Sequence, residues 1–198
     1  MRTPSILSLL LVSLLSACSG GELVGVHIKL DANGSGTITT RALMPLEQAV
    51  DAETRAKGVK WSVRAGLVAS QGQFDQIGEV TLGEGAVTFS PQLDGDRPGL
   101  RVTLKRGNWV AQLAPGKARR KEMAKAYDPT GRTDEIGDVL RIEVAAPGPV
   151  ITSGVLPTGR GVNVDRDGRK AILLLPVATM LEEGDAFIWD ISWLRKAQ

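Results

Sequence analysis

One cysteine and one histidine are all the thiol and imidazole chemistry this chain holds. The cysteine, Cys18, closes the run Leu15-Ser16-Ala17-Cys18. A large aliphatic residue, two small ones and then Cys is the pattern of the bacterial lipobox. The peptidase that cuts before the cysteine needs small side chains there, and the thiol then carries a diacylglycerol. Upstream, Arg2 supplies a positive charge. Ile6 to Leu15 supplies an apolar run broken only by Ser8 and Ser13. That is a secretory signal, too short to span a bilayer comfortably. The expectation is a signal peptide over 1–17, an acylated Cys18 with a short tether over 18–23, and one domain over 24–198. Two or three fatty chains on Cys18 would make anchoring effectively permanent. With no second cysteine there is no internal disulfide and no Cys-based metal site. Ser19 is compatible with sorting to an outer membrane in a cell that has two.

The histidine, His27, is the only base a Ser-His-Asp hydrolase has available. It lies in an alternating stretch beside Lys29, and no Gly-x-Ser-x-Gly elbow accompanies it. A single His also excludes a multi-His zinc site. The expectation is a surface or strand-packing histidine, with no catalytic residue assigned. Asp31, Asn33 and Ser35, followed by Gly36, imitate the start of a calcium loop. Such a loop needs helices on both sides and an acid at its twelfth position, which is Ala42 here. The residues read instead as a turn in which short polar side chains bond the local backbone. Asp165, Asp167 and Gly168 read the same way. No metal or cofactor is implied.

Two further groups of side chains bear on binding. Lys117, Arg119, Arg120, Lys121 and Lys125 are the densest run of charge. They read either as the solvated face of a helix or as a contact for anionic phospholipid headgroups. Phe187, Trp189 and Trp193 recur at every second or fourth residue of AFIWDISWL, and so share one face of a strand. With Trp61 and Trp109 they form either an ordinary core or the floor of a pocket for acyl chains.

The elements that must carry these residues follow from periodicity. Val26, Ile28 and Leu30 alternate with Gly25, His27 and Lys29, then Asn-Gly turns the chain into the Thr-rich stretch 37–43: a β-hairpin. Pro45–Gly58 has Pro early, Arg55 and Lys57 late and Gly at its end, the marks of a helix. Lys60–Ala69 reads as a strand, and Phe74–Gly85 as either a short helix or a strand. Ala86–Phe89 and Leu100–Lys105 read as strands joined by the turn-rich QLDGDRPG. Gly116–Tyr127 reads as a basic helix. Asp138–Ala146 alternates, with Leu140, Ile142 and Val144 toward the core. Residues 161–175 form a second hairpin about Asp-Gly, Pro176–Gly184 suits one or two helical turns, and Ala186–Leu194 is a closing strand. The length of 198 residues suits one domain with a real core. The formal net charge of +2 is too balanced to imply nucleic acid.

The lipobox Cys18, the strand and NGSG turn behind it, PGPVITSG near the C-terminus and the Trp-bearing FIWDISW together resemble the LppM-like envelope lipoproteins. The resemblance covers roughly 24–43 and 138–193. It implies an α+β single domain, a curved antiparallel β-sheet with an N-terminal hairpin and two or three packed helices. It also implies a fold likened to lipid-binding ones, and transfers no catalytic residue. The chain therefore reads as a non-enzymatic protein of the cell envelope. Its lipid anchor would hold it to the membrane, facing away from the cytoplasm, with a lipid or other hydrophobic ligand as partner. A tethered scaffold that contacts other envelope proteins is the alternative from a second class, and a hydrolase the third.

Overall fold

The computed structural model describes residues 22–42, 60–63, 69–107, 109–110 and 139–195. The strands, in order, are β1 (Glu22–Leu30), β2 (Gly36–Ala42), β3 (Lys60–Val63), β4 (Ala69–Phe74), β5 (Thr81–Leu82), β6 (Val87–Asp94), β7 (Arg97–Leu104), β8 (Val139–Ala145), β9 (Val150–Leu156), β10 (Asn163–Asp167), β11 (Lys170–Pro176) and β12 (Phe187–Trp193). A 3-10 turn, Ile77–Glu79, and one short helix, α1 (Val177–Leu181), interrupt them.

The strands make two sheets. The wider has the order β10-β11-β8-β1-β2-β4-β3 and the narrower β5-β6-β7-β12-β9. The first is mixed, because β1 runs parallel to β8 with Val26 opposite Ile142, while its other pairs are antiparallel. The second is antiparallel throughout. Alternation decides the layering. Val26, Ile28 and Leu30 of β1, Leu140, Ile142 and Val144 of β8, and Ala171, Leu173 and Leu175 of β11 are buried from one side of the core. Phe89 of β6, Val102 of β7, and Phe187, Trp189 and Ile191 of β12 are buried from the other. All belong to one apolar cluster. At one margin the sheets are laced together: the Arg166 guanidinium of β10 donates to the Ile151 carbonyl of β9, and the Val150 N–H to the Gly168 carbonyl.

This overturns the expected single curved antiparallel sheet with two or three packed helices. The protein is mostly β, in two sheets, one of them mixed. The physical reason lies in what covers the apolar face of the wide sheet: the second sheet does so, rather than a layer of helices. The expected helices at 45–58 and 116–127 lie outside the described residues, and the turns expected over Pro176–Gly184 are the five residues of α1. The strand–turn–strand expected over 24–43 is the β1–β2 pair. Phe74–Gly85 contains both of the forms weighed for it, the 3-10 turn and β5. The turn-rich QLDGDRPG is mostly strand: β6 and β7 pair out to Asp94 and Arg97, leaving Gly95 and Asp96 as the turn.

The sandwich has two poles. Glu22 pairs with Val139, and Val139 with Pro176, so the start of β1 and the entry to α1 share the first pole. The Gly107 N–H donates to the Met180 carbonyl, which brings the exit of β7 to the same pole. Leu30, Ala145 and Lys170 lie at the second.

Candidate functional site

His27 lies mid-strand on the outer face of the wide sheet, opposite Thr39 and Glu143. Its side chain is half-buried, and Nδ1 is 3.8 Å from Glu143 Oε2. That carboxylate is already committed. Arg141 Nη2 donates to Oε2 at 2.8 Å and Lys170 Nζ to Oε1 at 3.0 Å. Glu143 has 13% of its side chain exposed. Burial pushes its carboxyl up, but the Arg141 and Lys170 hydrogen bonds, with the charges of Lys170 and His27, outweigh that and hold it below the usual range. Across the two neighbouring strands His27 faces Thr39 and Glu143. The arrangement is an ion cluster that locks β1, β8 and β11 together.

The turn after β1 is equally committed. Asn33 Oδ1 accepts from the Ser35 N–H at 3.2 Å and from Ser35 Oγ at 2.8 Å. The Asp31 N–H donates to the Ser35 carbonyl and the Gly34 N–H to the Asp31 carbonyl. Gly34 has φ 90°, which a residue without Cβ takes without strain. No group of three or more His, Cys, Asp or Glu side chains among the described residues is placed to hold a metal.

Phe187, Trp189 and Trp193 belong to the one apolar cluster between the sheets, with Trp109 packed against it. Phe187 and Trp189 are wholly buried between the sheets, with Trp189 Nε1 donating to Ser153 Oγ at 3.0 Å. The Arg106 guanidinium lies over the Phe187 ring, 4.3 Å from its centroid. Trp109 is at the first pole, where its Nε1 donates to the Lys105 carbonyl at 2.7 Å. Trp61 occupies the register position opposite Gly72 on the edge strand β3. Trp193 lies at the second pole. Cys18 and the basic residues Lys117, Arg119, Arg120, Lys121 and Lys125 lie outside the described residues.

At the second pole the structure holds an open groove of about 1110 Å³. Leu30, Ile77, Leu100 and Trp193 make its floor, all buried. Pro91, Leu93, Pro98 and Pro147 make apolar walls, and Asp31, Asn33, Gln76, Gln92 and Arg195 a polar rim. Two glycines let the strand ends close around it. A Cβ on Gly36 would lie 2.0 Å from the Lys29 carbonyl oxygen, and one on Gly148 would lie 2.0 Å from that of Leu194. The Ile77 N–H donates to the Gly34 carbonyl at 2.9 Å, which sets Ile77 beside the NGSG turn.

Sequence reasoning named Trp193 and missed the rest of this lining. Its parts come from residues 30–34, 76–77, 91–100, 147 and 193–195, and only strand register brings them together. The available signal was the concentration of Pro and Gly in QLDGDRPG and PGPV, which marks turns that must collect at strand ends. No known protein family, curated protein or solved structure matches the chain.

Proposed function

We propose that this protein is a lipid-anchored, non-enzymatic binding protein of the cell envelope, held through Cys18 and facing away from the cytoplasm. In a cell with two membranes it sits on the outer one. Its groove takes a lipid or another hydrophobic ligand. The observation that carries the reading is the groove itself: buried Leu30, Ile77, Leu100 and Trp193 together with three prolines and Leu93, beside the polar Asp31, Asn33, Gln76, Gln92 and Arg195. That is the usual make-up of a site that binds by removing apolar surface from water and orients its ligand at the edge. The LppM-like resemblance supports the envelope assignment through the lipobox and the hairpin behind it.

A titration of the purified chain with a fluorescent fatty acid tests the ligand. Leu93 is 71% exposed at the groove wall, so Leu93→Asp leaves the core untouched while placing a charge where an acyl chain would lie. The expected outcome is saturable binding that weakens about tenfold or more in the variant, as a desolvated charge costs more than 1.4 kcal/mol. Equal binding by both chains would remove the groove as the site. The same exposed leucine favours a second reading. The groove is open rather than enclosed, and a segment of another envelope protein fits such a shape, which would make the chain a tethered scaffold.

A further inference from the structure

The way the tether enters the fold fixes which pole meets the membrane. Four residue steps separate Cys18 from Glu22, a reach of at most about 14 Å. β1 begins at Glu22, at the first pole, and ends at Leu30, at the groove. At about 3.3 Å per residue the two ends of this strand are roughly 26 Å apart. An anchor on Cys18 therefore holds the first pole close to the headgroups and leaves the groove on the far side.

Three of the large apolar side chains exposed on the surface are at that first pole. Leu156 is 68% exposed and pairs across the strands with Ile188, which is also exposed. Leu181 ends α1, and α1 follows Pro176, two strands away from Glu22 in the register of the wide sheet. The parts are held as a unit: Thr179 Oγ1 in α1 donates to the Arg160 carbonyl at 2.9 Å, just beyond Leu156. Exposed charge at this pole is mixed, Glu182, Glu183 and Asp185 beside α1 against Lys105 and Arg160, and gives no net attraction to anionic lipid among its described residues. Its fit is apolar, to the boundary between headgroups and acyl chains.

We propose that the pole formed by α1, the 156–160 turn and Ile188 rests on the phospholipid surface, with Leu156, Leu181 and Ile188 in the interface, and that the groove opens to the aqueous side. The groove's ligand then arrives from solution or from a soluble carrier, and not by direct transfer from the bilayer beneath the domain. The inference rests on Cys18 acylation, and the experiment separates the two.

The full mature chain, extracted with its anchor, is reconstituted into vesicles of phosphatidylethanolamine and phosphatidylcholine and compared by amide hydrogen exchange with the chain in solution. Exchange is expected to slow across 156–160 and 177–186 and to stay unchanged at 31–35 and 91–98. Leu156→Ser with Leu181→Ser, both at exposed positions, is expected to abolish that slowing while the chain stays anchored. Slowing at 91–98 in place of 177–186, slowing at neither, or slowing that survives the double substitution would overturn the proposal. Intact mass on the same sample reports the acyl groups. Should Cys18 prove bare, its thiol, the only one in the chain, is coupled to a maleimide lipid and the exchange repeated, so that orientation is answered apart from the anchor's natural chemistry.

Discussion

The two poles of the sandwich are made of different material. At the first, β11 passes into α1, the Trp109 indole bonds the Lys105 carbonyl, and Arg106 stacks on Phe187; side chains fill the end and leave leucines on its surface. At the second, the chain reverses through turns rich in glycine and proline, and small residues let strand ends approach until a groove remains between them. Both ends close the same core. Glycines turn the chain at both, Gly83, Gly85, Gly161 and Gly184 among them at the first; what differs is that α1, Trp109 and Arg106 pack over the first. In a two-sheet protein a site can thus arise at one end with no specialised motif, where no such bulk among the described residues covers the turns.

The sharpest way to break this contrast is to add bulk at the second pole alone. Gly148→Val places a branched side chain where a Cβ would already sit 2.0 Å from the Leu194 carbonyl oxygen. Overpacking of this kind costs about 2–3 kcal/mol. The expected outcome is a lower unfolding midpoint in urea together with loss of fatty-acid binding. An unchanged midpoint would mean that the second pole yields more easily than its geometry says.

A smaller effect is expected between the poles. Glu143→Gln removes the charge that Arg141 and Lys170 share and should cost about 1–2 kcal/mol at neutral pH, with ligand binding retained. The sign of the pH dependence follows from the depressed carboxyl. Unfolding restores the ordinary value, 4.5, so the stabilisation is complete above it and is lost as pH falls through the lower folded value. Urea midpoints measured downward from pH 6 should therefore fall in the native chain and fall less in Glu143→Gln. A parallel decline in both would assign the acid sensitivity elsewhere.

The smallest effect belongs to the outer face of the narrow sheet. Arg101 and Asp190 form a bidentate pair at 2.8 and 2.9 Å, but both side chains are about half exposed. Water and salt screen such a pair, and Arg101→Ala is expected to leave the thermal midpoint unchanged. A clear drop would place this pair on a par with the Glu143 cluster and remove burial as the distinction between the two faces.

The parts of this architecture that sequence made legible are those with local causes. The β1–β2 and β10–β11 hairpins were readable because alternation meets Asn-Gly or Asp-Gly. The strand β12 was readable from its aromatic alternation, and α1 from the short apolar turn after Pro176. Pairings between distant strands were not. Alternation says that one face of β8 is buried, yet nothing in it says that β8 lies parallel to β1 and belongs to a different sheet from β12. The edge strand β9 was hidden for another reason: VITSGVL has Gly and two hydroxyl residues and little alternation, as an exposed margin allows. The groove was illegible for the same cause as the pairings, since its floor joins Leu30, Ile77, Leu100 and Trp193 through register. The aromatic pattern pointed at the core because Phe187 and Trp189 face inward, and the one residue it shares with the groove, Trp193, is the last of the strand.

The native mass spectrum of the chain extracted from its own membrane in mild detergent separates an anchored, ligand-holding protein from a bare one. The expected species is a polypeptide that begins at Cys18, carries covalent diacylglycerol, and releases a noncovalent apolar ligand at higher collision energy. A chain without acyl groups, and with nothing bound, would contradict the proposed function.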